Sequence, residues 1–127
     1  MAFLDETGLA ELWSLITAED AETLSAAISA SPKIETGSYT GTNSKSKALT
    51  FNFTPKVVLI SGGTNATDQL GILVQGATAA FSRVGTGSSG NYSCGLSWGT
   101  NSVTITGADS RNCFNESSFA YAYCAIG

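Results

Sequence analysis

The spacing of apolar residues changes period once along this chain, around Ser31-Pro32. Before that point Leu9, Leu12, Trp13 and Ile16 recur at i, i+3, i+4 and i+7, the pattern of one helix face. From Ile34 onward the period is two, and Leu49-Thr50-Phe51-Asn52-Phe53 and Val103-Thr104-Ile105 alternate between apolar and polar. One element cannot satisfy both periods. The sequence therefore predicts a helical segment over residues 1–30 and a β domain over 31–127. Charge divides at the same place: residues 1–30 hold six acids and no Lys or Arg, while all six basic residues and four acids lie beyond. A helix this short rarely owns a core, so its expected role is attachment.

Within the first segment Asp5 and Thr7 are candidate N-caps. Thr17-Ala18-Glu19-Asp20 has the spacing of a capping box, a hydroxyl followed at a distance by a carboxylate. Two short helices or one kinked helix both satisfy these signals. The apolar face of Leu9, Leu12, Trp13 and Ile16 needs a partner surface. Its own β domain is one candidate, and copies of itself or a larger assembly are the other, favoured by the linker at Ala30-Ser31-Pro32-Lys33.

In the second segment eight strands are expected, over 34–42, 48–53, 56–61, 70–75, 78–84, 92–97, 102–106 and 119–126. Val57-Val58-Leu59-Ile60 is a continuous apolar run, the mark of a strand covered on both faces. Phe51, Phe53, Phe81 and Phe119 fall at strand positions and are expected in the core. Short strands with frequent Gly, Asn and Pro turn signals predict an antiparallel β-sandwich or jelly-roll-like domain.

Composition excludes several classes of chemistry. The chain has no histidine, which removes His-based triads and most catalytic zinc sites. Cys94, Cys113 and Cys124 form no Cys-x-x-Cys pattern, and no metal or other cofactor is expected. They read as buried thiols, with a Cys113–Cys124 pair oxidised after release as the alternative. A net charge of −4 with scattered basic residues gives no footprint for nucleic acid. No apolar run reaches the ~18 residues of a membrane span, and Met1-Ala2-Phe3-Leu4-Asp5-Glu6 has no signal-peptide pattern. Synthesis in a bacterial cytoplasm without a signal peptide is the expectation.

The remaining candidate sites are loops. Gly85 to Gly90 lacks a Walker lysine and reads as a hairpin loop. Asp109 and Glu116 are the closely spaced acids of the β domain, and a small glycan-active enzyme built on them is the enzymatic rival. A polar loop with a local ion pair through Arg111 is the simpler reading, and no catalytic residues are assigned. Asn65, Thr67 and Asp68 offer one carboxylate, too few for firm Ca²⁺ binding. Trp98 stands beside Gly99 near a turn that includes Asn101. Its indole is suited to stacking on a sugar, and equally to packing at an edge or a subunit contact. Candidate ligand-binding residues are Trp98, Asn101, Asn65 and Asp68, and candidate oligomerisation or anchoring residues are Leu9, Leu12, Trp13 and Ile16.

Two stretches resemble a known group. Phe3-Leu4-Asp5-Glu6-Thr7-Gly8-Leu9-Ala10-Glu11-Leu12-Trp13 resembles the opening of small fibre and tail proteins of tailed bacteriophages that infect Gram-positive gut bacteria. Gly37-Ser38-Tyr39-Thr40-Gly41, the stretch Leu49 to Ile60, and the closing Asn115 to Gly127 resemble the distal domains of such fibres. The resemblance implies a virion protein, usually a homotrimer. Its helix would face other virion proteins and its β domain would face outward, toward a host cell-surface glycan. A capsid head fibre or decoration protein without a receptor role is the alternative it allows. It transfers no catalytic or binding residues.

Overall fold

The computed structural model describes residues 6–63, 69–84 and 91–127. The protein is mainly β, with one N-terminal helix, and it divides into two compact units between Pro32 and Lys33.

The first unit contains α1 (Glu6–Ala30), an unbroken helix of 25 residues. Alanine, leucine and glutamate supply its propensity. It ends where Ser31 turns both its N–H (3.3 Å) and its hydroxyl (2.7 Å) onto the Ile28 carbonyl, just before Pro32. The second N-terminus expected at Thr17 does not form. The Thr17 hydroxyl donates to the Trp13 carbonyl at 2.8 Å, four residues back, and so is not free to cap a new start. Thr7 lies inside the helix, while Asp5 falls outside the described residues. No residue of α1 is buried.

The second unit carries β1 (Ile34–Thr40), β2 (Ser46–Thr50), β3 (Val57–Gly62), β4 (Gln69–Val74), β5 (Ala79–Val84), β6 (Asn91–Gly99), β7 (Ser102–Thr106) and β8 (Ala120–Ile126). All eight strands fall within three residues of the expected limits. They form one antiparallel ladder in the order β1-β8-β3-β4-β5-β6-β7-β2. Strands β3 to β7 follow one another as a meander, while β8 inserts between β1 and β3, and β2 joins β7 at the other end.

Residues from distant parts of the ladder meet across the core. Phe51, just after β2, makes an edge contact with Tyr123 of β8 at a centroid distance of 5.7 Å. The Lys47 ammonium of β2 lies 4.0 Å from the Tyr39 ring centroid of β1. The ladder therefore curls around one interior filled by Val58, Ile60, Leu73, Val103, Ile105 and Tyr121. Phe51 is buried, and Phe53 and Phe119 pack against this core as expected. Phe81 does not. It is 72% exposed, because inward register on β5 belongs to Ala80, which pairs with the buried Cys94.

In the segment between β7 and β8 the expected polar loop with an Arg111 ion pair forms, but residues 112–115 turn inward as a plug while Ala108, Asp109, Ser117 and Ser118 stay exposed. Cys113, Phe114 and Asn115 are all fully buried. Asn115 Oδ1 accepts from the Thr42 N–H at 3.0 Å. Its Nδ2 donates to the Ser44 and Ser46 carbonyls at 3.0 and 3.3 Å. Gln69 spans to the same segment, donating to the Arg111 carbonyl at 2.6 Å and accepting from the Tyr121 hydroxyl at 3.0 Å. These bonds meet the polar demand of the buried Asn115 and Gln69 side chains, which is why Asn115 can sit in the interior.

Candidate binding surface

The hairpin of β6 and β7 carries Trp98 at its end and Thr100-Asn101 at its turn. Trp98 pairs with Val103 in the ladder and packs half-buried against the core, where its Nε1 donates to the Ala77 carbonyl at 2.9 Å. Its indole N–H is thus committed within the protein. Asn101 is exposed and joins the hairpin to the segment after β2. Its carbonyl accepts from the Phe51 N–H at 2.8 Å, and its Oδ1 accepts from the Thr54 hydroxyl at 2.9 Å. Asn65 and Asp68 lie outside the described residues, as does the Gly85 to Gly90 loop.

Along the same segment, Lys33, Ile34, Glu35, Asn52 and Phe53 line an open depression of about 390 Å³. Glu35 reaches it from β1 and accepts from the Asn52 N–H at 2.8 Å, fixing the carboxylate at the rim. One aromatic ring, one carboxylate, one ammonium and one amide make a surface able to stack on and hydrogen-bond a small polar ligand such as a sugar. The sequence offered no local sign of this depression, because its walls come from chain positions brought together only by the curl of the ladder. Phe53 had been assigned simply to the core.

The two acids proposed as a catalytic pair have other partners. Asp109 Oδ1 accepts from the Asn112 N–H at 3.0 Å, closing a turn. Glu116 lies 3.7 Å from Arg111 Nε, both side chains about one-third exposed. The groups whose ionisation is shifted are core tyrosines and thiols. Burial raises Tyr39 and Tyr121, and the Tyr39 hydroxyl donates to the Phe114 carbonyl at 2.7 Å. Burial likewise raises Cys94 and pushes the Cys113 thiol up to about 11. Thiols held neutral in this way are poor nucleophiles. All three cysteines are free: Cys113 belongs to the core, while Cys124 pairs with Leu59 at an outward ladder position. Among the described residues no group of His, Cys, Asp or Glu is arranged to hold a metal ion, and no helix is long and apolar enough to cross a membrane.

The anchoring residues proposed on α1 are all exposed: Leu9 58%, Leu12 45%, Trp13 70% and Ile16 43%. Comparison with protein-family models, with curated proteins and with solved structures finds no match to this chain.

Proposed function

We propose that the chain is a non-enzymatic structural protein of a tailed-bacteriophage particle, a small fibre or tail protein that self-associates through α1. The observation that carries this reading is the apolar stripe of Leu9, Leu12, Trp13 and Ile16, exposed on a helix of which no residue is buried. Three copies pooling such stripes bury them around one axis, the closed symmetry a fibre requires. The resemblance of residues 3–13 to phage fibre openings supplies the virion context. The β domain then serves as the outward part, with its host-surface glycan contacts on the Asn101 turn and the neighbouring depression. We read the curled ladder as a two-layer sandwich, supported by the contacts of Phe51 with Tyr123 and Lys47 with Tyr39. Its β3 to β7 meander departs from the double Greek key of a jelly roll.

Light scattering on the full chain at micromolar concentration tests the assembly. The expected mass is that of a trimer, and Leu12→Asp is expected to lower it without altering the near-ultraviolet circular dichroism of the β domain. A monomeric wild-type chain overturns the reading. Labelled full-length protein applied to a panel of Gram-positive gut bacteria tests the outward role. Binding that falls with Asn101→Ala supports a receptor-binding fibre. A trimer that binds none of them leaves a head fibre or capsid decoration protein as the function.

A further inference from the structure

The outer surface of the ladder has two characters. On β7 and β2 the outward positions are Ser102, Thr104 and Thr106, and Ser46, Ala48 and Thr50, the polar or small residues normal for a sheet facing water. On β4 they are Leu70, Ile72 and Val74, exposed by 54%, 56% and 50%. The register sets Ile72 beside Leu59 and Val74 beside Val57, and Val57 in turn beside Ile126 of β8. Phe81 stands out from the adjacent strand β5. The outer face of β8-β3-β4-β5 is therefore one contiguous apolar patch, with Arg83 at the register position beside Leu70.

We propose that this face is a self-association surface, on which the same face of another copy of this chain packs. The proposal shares with the preceding reading only the premise that the chain self-associates.

Three observations point to a second copy as the occupant. The exposed area of the patch is on the order of 600 Å² per copy, at the upper end of the ~300–600 Å² found for the largest apolar patch of a monomer and about three-quarters of the ~800 Å² per partner of a standard interface. Apart from the edge position of Arg83, the patch carries no charged residue. An uncharged face packs against its own copy without setting like charges opposite one another. The patch also holds both halves of a fit. A hollow of about 240 Å³ opens between β4, β3 and β8, lined by Leu59, Ser61, Leu70, Ala122 and Cys124. Phe81 is a protruding ring on the same face, suited to fill that hollow on another copy. The apolar run Val57-Val58-Leu59-Ile60 is then covered on both sides, as its composition demands.

Sedimentation velocity on full-length Phe81→Asp and Ile72→Lys, beside Leu12→Asp, tests the proposal. Neither sheet residue belongs to the core, so both variants should keep the wild-type circular dichroism. Each is expected to weaken self-association at least tenfold. A photo-crosslinking residue at position 81, in a mixture of isotopically light and heavy chains, should join different copies through peptides containing Leu59–Ser61 or Ala122–Cys124. Unchanged association of both sheet variants overturns the proposal, and if Leu12→Asp alone dissociates the protein the helix reading survives by itself. Dissociation by the sheet variants but not by Leu12→Asp upholds the face and removes the helix. Crosslinks from position 81 to α1 peptides identify the helix as the occupant and overturn the proposal, as does a monomeric wild type.

Discussion

The ring of Phe114 occupies the space that a side chain on Gly71 would need: a Cβ built there collides with its outer carbons. Phe114 is itself fully buried with φ of 56°, a left-handed conformation rare for so large a residue. The Tyr39 hydroxyl bonds its carbonyl, and the Tyr121 ring meets it edge-on at a centroid distance of 6.4 Å. The Phe114 ring thus packs where β4 has no side chain.

Gly71→Ala is expected to destabilise the β domain by about 1–3 kcal/mol, because either β4 or the Phe114 ring must shift. Urea denaturation followed by tyrosine fluorescence should show a lower midpoint. An unchanged midpoint would mean that the plug is free to move.

Asn115→Ala should cost about 2–4 kcal/mol. The substitution removes the side-chain acceptor of the Thr42 N–H and one donor from each of the carbonyls of Ser44 and Ser46. The same denaturation experiment reads it. Asn115→Asp should fare no better, since a carboxylate cannot donate to those carbonyls.

Stability should decline in alkali. The Cys113 thiol, ordinarily near 9.0, is raised to about 11 by burial, so its folded pKa exceeds the unfolded one. The stability this gives is full below pH 9 and is lost as pH rises through 11. Ionising the thiol above its raised pKa is what costs the fold its stability. Tyr39 and Tyr121, raised in the same direction by burial, steepen the fall at still higher pH. Melting temperatures measured from pH 8 to 11 should drop, and Cys113→Ala, though less stable throughout, should show a shallower slope. Thiol titration of denatured, unreduced protein should count three free cysteines.

Trp98 and Asn101 should separate in experiment. Trp98→Phe keeps an aromatic ring but leaves the Ala77 carbonyl without its donor, a loss of about 1 kcal/mol in stability. Asn101→Ala removes an exposed bond to Thr54 and should change stability by less than about 0.5 kcal/mol. In glycan or cell binding the order should reverse, with Asn101→Ala the more damaging.

Strands such as β2 and β7 were legible because their inward and outward positions differ in polarity, and β3 because its run is apolar throughout. Phe81 was misread for the same reason inverted: in Ala79-Ala80-Phe81 the neighbours are too small to show which side faces in. The helix was legible as a helix but not as a single one, since the Thr17 spacing matches a capping box whose hydroxyl is in fact turned onto Trp13. The plug and the depression escaped notice because their bonds are long-range. Asn115 is satisfied by residues 42–46, Trp98 by Ala77, and Asn52 by Glu35. No local pattern announces a partner far along the chain. The outward Leu70, Ile72 and Val74 did leave a trace, in the unbroken apolar run of the strand beside them.

The strand order also sets a timetable for synthesis. The ladder partner of β1 is β8 and that of β2 is β7, so the first two strands translated wait for the last two. In between, β3 to β7 can close hairpin by hairpin as they emerge. Until residues 120–126 arrive, β1 remains an open edge able to pair with a strand of a neighbouring nascent chain. The domain is therefore most open to mispairing between neighbouring nascent chains while β8 is the one strand still missing from the ladder.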